Sequence, residues 1–254
     1  MTKINASALA HTIDSISWDG APKITGKVRE SFALPNNKRA LVTTDRISAF
    51  DFVLGTVPFK GQVLNKIAAW WFDKIDGIVP HHILSVPHQN VSIVKNVTVL
   101  PVEIIVRQYV TGTTKTSSWY AYENLDRKIC GLDMPAGMKK NEKLPAPIIT
   151  PTTKPAAGSG EHDEAISKTE ILEQGLVDPE MYEKVESYAL KMFAIGQAEA
   201  AKRGLILVDT KYEMGIDSKG NLIVIDEIHT PDSSRYWMAD SYEARLKKGE
   251  EPDM

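Results

Sequence analysis

Asp209, Lys211 and Glu213 alternate along an otherwise apolar run, Leu205–Gly215 (LILVDTKYEMG). In a strand, alternate residues share a face, so these three charges project together. A second apolar run, Leu222–Trp237 (LIVIDEIHTPDSSRYW), follows Asp217–Gly220, whose composition is that of a hairpin turn. A two-residue turn at Ser218-Lys219 pairs Lys211 with Asp226 and Glu213 with Val224, which brings Asp226 onto the same face. Carboxylates and an ammonium crowded on one face of an apolar hairpin are costly unless a ligand engages them. Mg²⁺ takes one or two carboxylates together with phosphate oxygens and water, and the lysine suits an anion. The chemistry this predicts is binding of a nucleotide phosphate and a metal. The same alternation also fits a solvated sheet face, and a register slipped by one residue carries Asp226 to the opposite side.

Three other segments suit a phosphorylated substrate. Gly26-Lys27-Val28-Arg29 places a glycine and two cations at the start of a strand, where backbone can approach phosphate closely and Lys27 can reach its oxygens. Thr44-Asp45-Arg46-Ile47-Ser48-Ala49-Phe50-Asp51 combines carboxylates, a guanidinium and hydroxyls just after a strand. Arg107 ends a β-rich run and precedes Thr111-Gly112-Thr113, and an arginine beside hydroxyls can grip a carboxylate or phosphate bidentately. Each of these, taken singly, also reads as a polar turn.

The elements that must position these groups are legible around them. Lys23–Thr44 reads as two strands about Pro35-Asn36-Asn37, with Gly26 and Lys27 opening the first. Val63, Ile67, Trp70, Trp71 and Ile75 give Gln62–Asp76 a helical period. Val91–Val110 is rich in β-formers and interrupted by Pro101, and Ser117–Asn124 reads as a short helix. Proline, glycine and threonine accumulate between Pro135 and His162, which predicts no regular element there, either a linker or a loop ordered by a ligand. Ser167-Lys168-Thr169-Glu170 has capping-box spacing, and Asp178-Pro179 opens a helix running to Arg203 with Met181, Val185, Tyr188, Met192 and Ile195 on one stripe. Gly204 stops it. The resulting order of strands and helices predicts an α+β protein.

A chain of 254 residues, 43% hydrophobic and 25% charged, has room for one large domain or two lobes. A formal net charge of −3 gives no basic field for nucleic acid. The single cysteine, Cys130, precludes an internal disulfide and fits a reducing compartment, and no activating histidine lies near it in sequence. Neither a secretory signal in MTKINASALAHTIDS nor a membrane-length apolar run is seen, so a cytoplasmic protein without membrane partners is expected. His81, His82 and His88 lack metal spacing and read as structural.

Taken together, the segments carry a family likeness. Leu100–Arg107 (LPVEIIVR) with Thr111-Gly112-Thr113, and Val208–Gly215 (VDTKYEMG), resemble two signatures of the phosphoribosylaminoimidazole-succinocarboxamide synthase (SAICAR synthetase) family. Gly26–Arg29, Thr44–Asp51, Gly160–Glu164 (GEHDE) and Asp226–Trp237 extend the resemblance over nearly the whole chain, and the Gly160–Glu164 segment resembles the longer, yeast-like form. Thr113 stands where serine is usual and Glu30 where aspartate is usual. The resemblance implies a two-lobed fold akin to kinase-like and ATP-grasp-like folds, divided as residues 1–108 and 109–254. It also implies an ATP- and Mg²⁺-dependent ligase of purine biosynthesis that joins carboxyaminoimidazole ribonucleotide to L-aspartate through an acyl phosphate.

The residue roles implied are these. Glu213 and Asp226 hold Mg²⁺; Gly26, Lys27 and Arg29 meet ATP phosphates; adenine lies near Leu100–Val102, with Val102 on its face. Arg107, Thr113, Lys211 and Arg235 bind the ribonucleotide, Lys211 and Asp209 stand at the reacting centre, and Asp45, Arg46 and Ser48 support the substrate. His162 and Asp163 close over nucleotide or aspartate, keeping water from the acyl phosphate. A monomer is favoured over a dimer. Two rival readings use the same residues: a kinase-like small-molecule phosphotransferase, and a non-catalytic nucleotide-binding module.

Overall fold

The structure, a computed structural model, describes residues 11–49, 52–154 and 163–254. The chain divides into two compact units. The first comprises the chain up to Asp76, His81–Val97 and Asp217–Asn221; the second comprises Gly77–Pro80, Thr98–Ile216 and Leu222–Met254.

In the first unit, β1 (Lys23–Thr25), β2 (Arg29–Leu34), β3 (Lys38–Thr43), β4 (Arg46–Ala49), β5 (Phe52–Thr56), α1 (Lys60–Ile75), β6 (Ile83–His88) and β7 (Val91–Lys95) follow in order. An antiparallel sheet runs β1-β2-β3-β7-β6, and β4 and β5 form a separate hairpin. The β2–β3 turn is the expected one: Asn36 and Asn37 take φ of 59° and 56°, a left-handed pair that asparagine tolerates best after glycine. α1 packs against β3 and β6. Its buried side is Leu64, Asn65, Ala68, Trp71, Phe72 and Ile75, so Val63, expected on the apolar stripe, faces outward at 51% exposure.

The second unit contains β8 (Thr98–Val99), β9 (Val102–Tyr109), α2 (Ser118–Asn124), β10 (Lys128–Ile129), β11 (Leu132–Asp133), β12 (Lys143–Ile149), β13 (Thr152–Thr153), α3 (Lys168–Glu173), α4 (Pro179–Ala201), β14 (Leu205–Ile216), β15 (Leu222–Ile225), β16 (Ser234–Met238) and α5 (Ala239–Lys248). β14 is the spine. It pairs antiparallel with β9, β15, β16 and β8, while β12 and β13 flank β9. α4 lies against β14, β9 and β15. Both helix starts follow their sequence signals: the Ser167 and Glu170 capping box is closed in both directions, and Asp178 caps α4 by accepting from Met181 N at 2.9 Å.

Three expectations are corrected. The boundary at 108/109 falls inside the second unit, because β9 pairs with β14 rather than with the strands that precede it. The stretch from Pro135 to His162 contains β12 and β13, both paired with β9. Its prolines are tolerated because β12 is an edge strand with a register shift between Lys143 and Ile148, so Pro145 and Pro147 forgo no ladder bond. The β14–β15 turn is longer than two residues. Asp217 N donates to Asn221 O at 3.0 Å, and the Asp217 carboxylate accepts from the backbone N of Lys219 and Asn221 at 2.8 and 2.9 Å. Glu213 therefore pairs with Ile225, not Val224. Asp226 falls just past the last paired residue, with φ of 64°, where the chain leaves the sheet.

Candidate functional site

β14 carries two charge clusters. The first surrounds Asp209, which stands in register with Arg107 on β9 and with Arg235 on β16. Its Oδ2 lies 3.4 Å from Arg107 Nη1 and 3.7 Å from Arg235 Nη1. Arg107 is buried and oriented: Nε donates to Thr150 Oγ1 at 2.8 Å and Nη2 to Thr116 O at 2.9 Å. Arg235 is a third exposed. Two guanidiniums against one carboxylate leave a surplus positive charge, which suits a phosphate or carboxylate. Gly112 takes φ of 88° beside this cluster; a Cβ there would stand 2.6 Å from Ser117 Cβ and 3.5 Å from Arg235 Nη1. Thr113 follows it and is exposed.

The second cluster is centred on Lys211 and Glu213. Lys211 Nζ donates to Glu213 Oε1 at 2.8 Å and to Glu103 Oε1 at 2.7 Å. Lys154 closes it, hydrogen-bonded to Glu213 Oε2 and 3.8 Å from Glu103 Oε1. Burial alone would raise the Glu213 carboxyl, yet the ammonium groups of Lys211 and Lys154 hold it well below the ordinary carboxylate range. In Glu103 burial wins over the pull of Lys211, and its carboxyl is raised. Burial opposes the charge of Lys211, but Glu213 and Glu103 outweigh it and push the ammonium above its usual value. Lys211 is thus a fixed cation at neutral pH, not a proton acceptor.

Glu103 and Lys154 were not singled out from the sequence. Glu103 left a signal, since it lies four residues before Arg107 in one strand and so shares its face. Lys154 left none: its partner Glu213 is 59 residues away.

In the first unit the structure gives Asp45 and Arg46 work other than substrate contact. Arg46 is buried and donates from Nε to Lys27 O at 2.8 Å, from Nη2 to Gly26 O at 2.7 Å, and from Nη1 to Glu30 at 2.8 Å and to Asp14 O. It shapes the Gly26–Val28 turn between β1 and β2, which Gly26 N closes onto Arg29 O at 2.8 Å. Glu30 thereby acquires a role as the buried counter-ion of Arg46. The Asp45 carboxylate accepts from Ile13 N and Gly61 N, each at 2.9 Å, and so ties the start of α1 to β3. Lys27 is exposed on that turn, and Ser48 is half-buried on β4. Val102 is 1% exposed and belongs to the core.

His162 lies outside the described residues, as do Phe50 and Asp51; Asp163 is exposed. His81 and His88 accept backbone hydrogen bonds through Nδ1 at 3.2 Å, in keeping with structural roles. Burial pushes the Cys130 thiol up to about 11, which makes it inert.

The loop after Asp226 is held by a buried aromatic pair. The Tyr212 hydroxyl and His229 Nε2 lie 2.5 Å apart, and Tyr236 Oη donates to His229 O at 2.8 Å. Burial drives the His229 pKa from its ordinary 6.5 down to about 3. The unfolded chain therefore binds a proton that the folded one refuses. Stability is complete above pH 6.5 and falls below it, by about 1.4 kcal/mol per pH unit toward the folded value. Urea melts between pH 7 and pH 5 should show this slope, and His229→Gln should flatten it. An unchanged slope in the variant would remove His229 as its source.

An α+β frame thus sets a surplus of guanidinium charge and an ionised acid along one strand. The SAICAR synthetase family model matches residues 23–253, and the chain belongs to that family. The phosphoribosylaminoimidazole-succinocarboxamide synthase of Legionella pneumophila (strain Paris) is 48% identical over 231 residues, covering 91% of this chain and 72% of that protein. Among solved structures, SAICAR-synthase from Saccharomyces cerevisiae complexed with SAICAR is 32% identical with a TM-score of 0.79, covering 91% of this chain and 81% of that one. A type-2 SAICAR synthetase in complex with ADP is 25% identical with a TM-score of 0.72, covering 90% and 92%. Among the described residues no helix is long and apolar enough to cross a membrane.

Proposed function

We propose that this chain condenses carboxyaminoimidazole ribonucleotide with L-aspartate, consuming ATP and giving SAICAR, ADP and phosphate in purine biosynthesis. One observation carries the assignment to particular residues: β14 presents Asp209 between two arginines and, four residues on, the ionised Glu213. Phosphoryl transfer to a carboxylate depends on positioning and charge neutralisation, and this strand is built for both. Arg235, backed by Arg107, binds an anionic end of the ribonucleotide. Asp209 keeps the two guanidiniums together in place of repelling each other. Lys211 is a permanent cation for the developing negative charge. Lys27, held on its turn by Arg46, contacts nucleotide phosphate.

The residues present fit Mg²⁺. Glu213 is a hard oxygen donor kept ionised by its neighbours, and this reading assigns the second acid to Asp226, where the chain leaves β15. Among the described residues no group of three or more His, Cys, Asp or Glu could hold a metal alone. That suits an ion that completes its shell with water and phosphate oxygens. When bound it would neutralise phosphate charge. Asp163 belongs to the segment proposed to shield the reacting groups from water. The same reading takes the protein as a monomer acting in the cytoplasm, a reducing compartment that suits its single cysteine.

A coupled assay of ADP release tests the reaction. Release should require both carboxyaminoimidazole ribonucleotide and L-aspartate. Turnover indifferent to aspartate would defeat the ligase reading in favour of a phosphotransferase, and ATP binding without turnover would leave only a binding module.

A further inference from the structure

Both oxygens of Glu213 are already engaged by cations: Oε1 by Lys211 and Oε2 by Lys154. With Glu103, the described residues of the cluster are two carboxylates and two ammonium groups, balanced in charge. A divalent cation added to it would leave a net charge of plus two, or plus one once Asp226 is counted, and would find both oxygens of Glu213 already taken. One ammonium must therefore give way. Lys211 is fixed between two carboxylates, on a strand laddered on both sides. Lys154 follows β13, which has only two paired residues, and touches Glu103 at 3.8 Å. Its backbone N donates to Pro101 O at 2.9 Å.

We propose that Lys154 is the counter-cation of Glu213 in the metal-free protein, and that the divalent ion displaces it from Oε2. The inference rests on the reading of Glu213 as a metal ligand. It makes Lys154 a determinant of metal affinity: its ammonium keeps the acid ionised and oriented, yet competes with the metal for the same oxygen. Metal binding without nucleotide is held weak, because the displaced charge has no anion to move to.

The test is titration of the nucleotide-free full chain with Mn²⁺, followed by calorimetry. Lys154→Met removes the competing charge and should tighten Mn²⁺ binding about tenfold or more. Lys154→Gln, a second neutral side chain, should do the same, and Lys154→Arg should leave affinity near that of the unchanged chain. Thermal melts establish that each variant is folded. If both neutral variants bind Mn²⁺ no tighter, while Glu213→Gln abolishes binding, Lys154 does not occupy the metal's position and the proposal is overturned with the Glu213 reading intact. If Glu213→Gln leaves the binding of the Lys154→Met chain unchanged, the reading of Glu213 fails and the proposal with it.

Discussion

Glu213→Gln should lower aspartate-dependent ADP release by roughly 10²–10³-fold, the range seen when one preorganised electrostatic partner is removed from a transition state. The amide keeps the shape and loses the charge, so Oε2 no longer offers a hard anionic donor to a metal. Among the described residues it also leaves Glu103 as the carboxylate that Lys211 and Lys154 share. Removing one partner of a buried ion pair is strongly destabilising, but both lysine side chains keep about a third of their surface, at 34% and 31%, and can turn toward water. The fold should survive, with a modestly lower melting temperature. Steady-state assays across a Mg²⁺ series, paired with circular dichroism, separate the two effects. Near-normal turnover in a folded variant would take Glu213 out of the chemistry.

The largest stability effect should come from Gly61→Ala. A Cβ at Gly61 would stand 2.4 Å from Thr43 O, 2.6 Å from Thr44 O and 2.8 Å from Asn90 Nδ2. Two of these are backbone atoms of a paired strand end, with Thr43 N bonded to Asn90 O at 2.8 Å and Thr44 N to Val28 O at 3.0 Å, so they cannot yield cheaply. Alanine is the better helix former by up to about 1 kcal/mol, which argues the other way. The overlap should win, and a net loss of about 2–3 kcal/mol is expected. The shift would also pull Gly61 N from the Asp45 carboxylate. Urea unfolding should show a lower midpoint at an unchanged slope. A midpoint equal to or above that of the unchanged chain would mean that α1 can ride outward freely.

What the sequence revealed and what it withheld divide along one physical line. Signals that act within a few residues were readable: the Asn36-Asn37 turn, the Ser167 box, the Asp178 cap with Pro179, and the stop at Gly204, whose φ is 70°. Those that depend on a partner strand were not. The extra residues of the Asp217–Asn221 turn shift the register by one and move Asp226 off the ladder. β12 hid behind its prolines because edge status cannot be seen in one dimension. The charged residues of β14 were found because they break an apolar run. The partners of Lys211 and Glu213, namely Glu103 and Lys154, are set by which segments lie beside one another in the fold. Asp45 and Arg46 were recognised as unusual, but the sequence could not say that backbone groups would engage them first.

The outer rim formed by β12 has a bearing on solubility. Pro145, Ala146 and Pro147 lie in the irregular stretch of this edge strand between Lys143 and Ile148, where no ladder pair with β9 is formed. Two of those three nitrogens carry no hydrogen. A stray strand from a neighbouring molecule would meet a row with its donors deleted, so this side of the sheet is a poor template for aggregation.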